Sequence, residues 1–85
     1  MNISKPEQRV LHVLAQGGVI DFDRATNGHV TNVICYTREG YVLSDLNLAV
    51  FKKLKKRRLI ISSKGKPYQI SRKGRISVRA QLDNR

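Results

Sequence analysis

The sequence holds one cysteine and only six acidic residues against seventeen basic ones. A lone thiol, Cys35, cannot close an internal disulfide, so nothing points to an oxidising compartment. Cys35 lies in the strand-like run Val33-Ile34-Cys35-Tyr36 and reads as a small sheet or core residue rather than a reactive thiol. Long apolar runs are missing too. The first 15 residues contain no unbroken apolar stretch, and nothing approaches the roughly 18–20 apolar residues of a membrane span. No signal peptide or anchor is expected, and the expected location is the cytoplasm. Soft metal ligands are confined to Cys35, His12 and His29, with no closely spaced pair. Zinc sites need three or four such ligands at short spacings, so no metal or cofactor is expected.

Catalytic signatures are equally thin. There is no nucleophile elbow, and the glycines are isolated turn residues rather than a phosphate-binding loop. A basic protein with two histidines could cleave RNA, one as base and the other as acid. His12 and His29 belong to different elements, however, and read as solvated surface residues. The protein is expected to work by binding, not as an enzyme.

What the chain has in plenty is positive charge. Its 85 residues carry a net charge of +11, with 40% hydrophobic and 27% charged residues. That is one small domain, 1–85, with enough apolar content to fold. The charge is uneven. Residues 1–51 carry four basic and five acidic side chains, a sum of −1; residues 52–85 carry thirteen basic groups against Asp83, a sum of +12. Cations gathered in one part of the chain make a surface that attracts nucleic acid or an acidic partner.

Periodicity gives the element order. Ser4-Lys5-Pro6-Glu7 forms a capping box with proline in the first turn, and Val10, Leu11, Val13 and Leu14 make one helical face. Gly17-Gly18 ends that helix. Residues 19–23 and 30–37 read as strands joined at Asn27-Gly28, a favoured pair for a tight hairpin. Arg38-Glu39-Gly40 makes a second turn, and Tyr41-Val42-Leu43 pairs back as a short third strand. Ser44 or Asp45 caps a second helix over 46–57, with Leu46, Val50, Phe51 and Leu54 on its apolar side. Leu59–Ser63 and Tyr68–Ile70 are strands about the turn Lys64-Gly65-Lys66-Pro67. Ser71 caps a last helix over 72–82, poorly amphipathic: Ile76 and Ala80 lie together, Val78 and Leu82 elsewhere. The end, 83–85, is expected to fray.

This order, helix, β-hairpin, helix, β-wing, helix, is α+β and resembles a winged-helix domain, most closely from Leu59 through Tyr68-Gln69-Ile70-Ser71-Arg72-Lys73-Gly74. It departs from that pattern in one place. A β-hairpin stands where a helix normally precedes the recognition helix.

The candidate binding residues follow from the charge. Lys52, Lys53, Lys55, Lys56, Arg57 and Arg58 place six cations in seven residues at a helix end, where they suit its dipole. Lys64 and Lys66 add two at the wing tip, and Arg72, Arg75 and Arg79 recur at i, i+3 and i+7. Such groups bind phosphates without reading sequence, with an affinity that falls steeply with salt.

The whole chain also resembles the YjhX family of small bacterial proteins. The resemblance rests on Glu7-Gln8-Arg9, Leu11-His12-Val13-Leu14-Ala15, Gly17-Gly18, Cys35-Tyr36 and Arg38-Glu39-Gly40. It continues with Leu48-Ala49-Val50-Phe51-Lys52-Lys53-Leu54-Lys55, Leu59-Ile60, Pro67-Tyr68 and the run from Val78 to Arg85. It implies a toxin that binds and inhibits bacterial DNA topoisomerase I, paired with an acetyltransferase-like antitoxin. It assigns no binding residues.

Overall fold

A computed structural model describes residues 3–83, with side chains described as far as Arg79. The expected fraying at 83–85 and the placement of the Ala80 and Leu82 side chains therefore lie largely outside the described residues. The elements run α1 (Lys5–Ala15), β1 (Val19–Arg24), β2 (Val30–Tyr36), β3 (Val42–Leu43), α2 (Leu48–Lys56), β4 (Ile60–Ile61), β5 (Gln69–Ile70) and α3 (Arg72–Asp83). The fold is α+β, with three helices and two antiparallel sheets, ordered β1-β2-β3 and β4-β5.

Helix α1 begins as the sequence predicts. The Glu7 backbone N–H donates to Ser4 Oγ, and Glu7 Oε1 accepts from the Ser4 N–H and hydroxyl, at 3.4, 3.4 and 2.9 Å. Val10, Leu11 and Leu14 turn inward and bury completely. The helix stops in a Schellman arrangement: Gly17 N–H reaches Leu14 C=O at 3.1 Å and Gly18 N–H reaches Val13 C=O at 3.0 Å. Gly17 takes the left-handed φ of 104° that this ending requires.

Strands β1 and β2 pair antiparallel, with Ile20 opposite Cys35 and Phe22 opposite Val33. The alternation buries Ile20, Val33 and Cys35 on one face. The hairpin is longer than the expected two-residue Asn27-Gly28 turn. Gly28 N–H donates to Ala25 C=O and Ala25 N–H to His29 C=O, both at 2.9 Å, so Asn27 and Gly28 close a four-residue turn. Register shifts between Asp23 and Arg24, a bulge that absorbs the extra residue. β3 then pairs with the end of β2, Leu43 opposite Cys35, as predicted.

Helix α2 corrects one expectation. Neither Ser44 nor Asp45 caps it; Asn47 does, its Oδ1 accepting from Val50 N–H at 2.9 Å. Asp45 instead holds Arg9 of α1 at 2.7 Å. Leu46 is buried, yet lies just before the helix rather than in it. Val50, Phe51 and Leu54 form the inward stripe.

Tyr68 joins the two sheets. Its backbone exchanges hydrogen bonds with Ile20 of β1 at 2.9 and 2.8 Å. Its ring meets Phe22 of β1 and Phe51 of α2 edge-on, with centroids 5.2 and 5.0 Å apart. The β4–β5 pair is thereby fixed to the hairpin sheet and to α2 together. Ser71 caps α3 as predicted: its Oγ accepts from Gly74 N–H at 3.0 Å and donates to Arg58 C=O at 2.7 Å. The start of α3 is thus tied to the end of α2.

Candidate functional site

The lysines of α2 stand where an amphipathic helix puts them. With Val50, Phe51 and Leu54 packed inward, Lys52, Lys53, Lys55 and Lys56 all remain exposed. No carboxylate among the described residues reaches them; the ion pairs there are Arg9–Asp45 and Arg57–Glu7. Four positive charges in two turns are left to water or to a partner.

Arg57 behaves differently from its neighbours. Its guanidinium lies 3.5 Å from Oε2 of Glu7, a carboxylate only 2% exposed. Oε2 makes no hydrogen bond of its own, so Arg57 supplies the main counter-charge to a buried anion. Arg57 is half-buried and serves the fold as well as the surface.

Arg58 is exposed and has a left-handed backbone, φ 60°, at the second residue beyond α2, just after the C-cap Arg57. Arg58 N–H reaches Lys55 C=O and Leu59 N–H reaches Leu54 C=O, both at 3.0 Å, a second Schellman ending with arginine in the position glycine prefers. Lys64 repeats the pattern. It takes φ 55° before Gly65 at φ 75°, in a turn closed by Lys66 N–H on Ser63 C=O at 3.0 Å. Both non-glycine residues with positive φ among those described are therefore candidate binding cations.

The eleven candidates fall into groups. The Ser71 hydroxyl on Arg58 C=O brings the end of the α2 set next to Arg72 at the start of α3. Arg72, Arg75 and Arg79 are all exposed. Lys66 sits apart, lining a groove of about 330 Å³ with Val19, Ile61 and Pro67, toward β1 rather than α2.

Two features escaped the sequence reading. His29, on the hairpin turn, lines a groove of about 300 Å³ with Lys52 and Lys55, floored by Val30, Leu48 and Phe51. No local pattern links residues 29 and 52; only the packing of β2 on α2 does. His12 is not part of that groove, so the two histidines do not share it. Ile76, on α3, is 60% exposed amid the arginines. Its place among Arg72, Arg75 and Arg79 was legible from helical spacing.

Cys35 is fully buried, and burial pushes its thiol up to about 11. It has the character of a core residue. Among the described residues no helix is long and apolar enough to cross a membrane.

Fold and surface define a small cationic α+β protein in which, among the described residues, the lysines of α2 are exposed and without a carboxylate partner. The family model described as "Putative toxin of bacterial toxin-antitoxin pair" matches residues 1–85, and the chain belongs to this YjhX toxin family. It is 67% identical to a UPF0386 protein of Ruegeria sp. (strain TM1040), with the whole of both chains covered. Over the full length of both chains it is 62% identical to a UPF0386 protein of Beijerinckia indica and 61% identical to one of Brucella anthropi. No solved structure matches the chain. Membership in a toxin–antitoxin family implies an antitoxin partner.

Proposed function

We propose that this protein is a toxin acting by binding in the cytoplasm, with bacterial DNA topoisomerase I as its target and an acetyltransferase-like protein as its antitoxin. Full-length membership in the toxin family supports the toxin role. The observation that carries a binding mechanism is the α2 face: four exposed lysines with no carboxylate of the described residues in reach. A cationic helix of this kind is complementary to DNA held by an enzyme, and docking there blocks strand passage without any active site. The test is a relaxation assay with purified topoisomerase I and supercoiled plasmid. Inhibition is expected near equimolar protein; full relaxation at large molar excess would falsify the target.

A second reading, a winged-helix DNA-binding regulator, is favoured by a specific observation. The basic helix α2 is followed by the β4–β5 pair with Lys64 at its tip and then by α3, the order of a winged domain. It requires duplex binding without topoisomerase, which a titration at low salt measures directly. Undetectable affinity there removes it.

A further inference from the structure

We propose that the outward face of α3, Arg72, Arg75, Ile76 and Arg79, is the surface on which the antitoxin docks, and that the docking partner presents carboxylates around an apolar contact. The proposal rests on the toxin–antitoxin reading and assigns to it a site separate from the α2 lysines.

Helical spacing and burial fix the face. Gly74 and Val78 turn inward and are buried. At 100° per residue, Arg72, Arg75, Ile76 and Arg79 fall within one arc of about 100°, with Arg75 at its edge nearest Val78, and all four are exposed. Ile76 is the centre of interest. It is 60% exposed on a helix whose other described solvent-facing residues are cationic, and the core is complete without it. Beside it, Ala15 at the end of α1 and Val78 join Arg75 and Arg79 around a groove of about 390 Å³, wide enough for a partner's side chain.

The chemistry of this face differs from that of α2. The exposed positions of α2 are lysines and Ala49, with no large apolar group among them. Lysine binds phosphate as a hydrated point charge and needs nothing apolar beside it. On α3 the cations are mostly arginines set about an isoleucine. Arginine grips carboxylates with two parallel hydrogen bonds and loses less on leaving water. Arginine and apolar anchors are enriched in protein–protein contacts, and lysine is depleted there. A phosphate backbone offers Ile76 no apolar partner, whereas an acidic protein surface does. The first turn of α3 also holds no acidic residue. Arg72, Lys73 and Arg75 therefore oppose the helix dipole, so this charge is not explained by helix stability.

The experiment uses the full chain, a purified acetyltransferase-like protein as the proposed antitoxin, and a short DNA duplex of random sequence as second ligand. Affinities are measured by calorimetry for the wild type, Arg75→Glu, Ile76→Ser and the double variant Lys52→Glu, Lys55→Glu. Melting curves establish that each variant is folded, which the exposure of all four positions favours. Arg75→Glu and Ile76→Ser are each expected to weaken the protein partner roughly tenfold or more. The lysine pair is expected to weaken the duplex and to move the protein partner far less. Wild-type affinity of both α3 variants for the partner overturns the site. So does a loss of duplex affinity in Ile76→Ser equal to its loss of partner affinity, which would make this a nucleic-acid face. If the wild type itself does not bind the acetyltransferase-like protein, the antitoxin reading falls and takes the site with it.

Discussion

Arg58 illustrates how one residue can serve two demands that disagree. The Schellman ending of α2 requires a left-handed residue, and a side chain there costs about 1 kcal/mol that glycine avoids. Arg58→Gly is therefore expected to stabilise the fold by about 0.5–1 kcal/mol in urea titrations while weakening polyanion binding. Lys64, also left-handed, occupies an analogous position at the tip of the β4–β5 turn. Cys35 makes a different prediction. With its thiol raised from 9.0 to about 11, it stays protonated at neutral pH and resists thiol reagents until the protein unfolds. The sign for stability follows. The unfolded thiol ionises first, so its contribution is intact below pH 9 and disappears between about pH 9 and 11. An alkaline loss of about 2–3 kcal/mol, absent in Cys35→Ala, is the expected signature in denaturation curves.

At the scale of the element, α3 shows why helix propensity is a poor guide to its own sequence. Gly74 lies within the first turn of α3, where alanine would ordinarily be better by up to about 1 kcal/mol. Here an added Cβ would strike the carbonyl oxygen of Leu59 and come within 2.7 Å of Ile70 Cγ1. The backbone cannot yield as a flexible side chain does, so Gly74→Ala is expected to destabilise by about 2–3 kcal/mol, read as a lowered melting temperature. At the helix start the opposite change is favourable. Arg72→Glu replaces a cation that opposes the dipole with an anion that suits it. The expected result is a gain of about 0.5–1 kcal/mol in thermal stability together with loss of antitoxin affinity. Stability and binding moving in opposite directions would mark the arginine as functional. The poor amphipathicity of α3 has the same origin: Gly74 and Val78 carry the packing, and Ile76 is left facing out.

For the whole molecule, the fold divides its cations by use. Arg57 compensates Glu7 across the junction of α1 and α2, while the lysines around it pair with no carboxylate among the described residues. Arg57→Ala is expected to cost about 2 kcal/mol in chemical denaturation, less than for a fully buried pair because Arg57 is partly in water. Lys52→Ala, Lys55→Ala or Lys56→Ala should change stability by less than about 0.5 kcal/mol. That contrast separates the residue that holds the fold from those available to a partner, and a charge-only reading of residues 52–58 does not make it.

The element order, the α1 capping box, the Ser71 cap and the inward stripes of α1 and α2 were all legible in the chain. Each depends on residues three or four apart, or on alternation along a strand, and needs no knowledge of distant packing. The segregation of charge into the second half was equally a property of sequence alone. Tertiary structure decided the rest. It started α2 at Leu48, so that Asn47 rather than Ser44 or Asp45 caps it, and it paired Asp45 with Arg9 of α1. It placed His29 beside Lys52 and Lys55, stitched Tyr68 to Ile20, and assigned Arg57 to Glu7. These are contacts between residues far apart in the chain, chosen only when three helices and two sheets close on one core, and no local period encodes which side chains then meet.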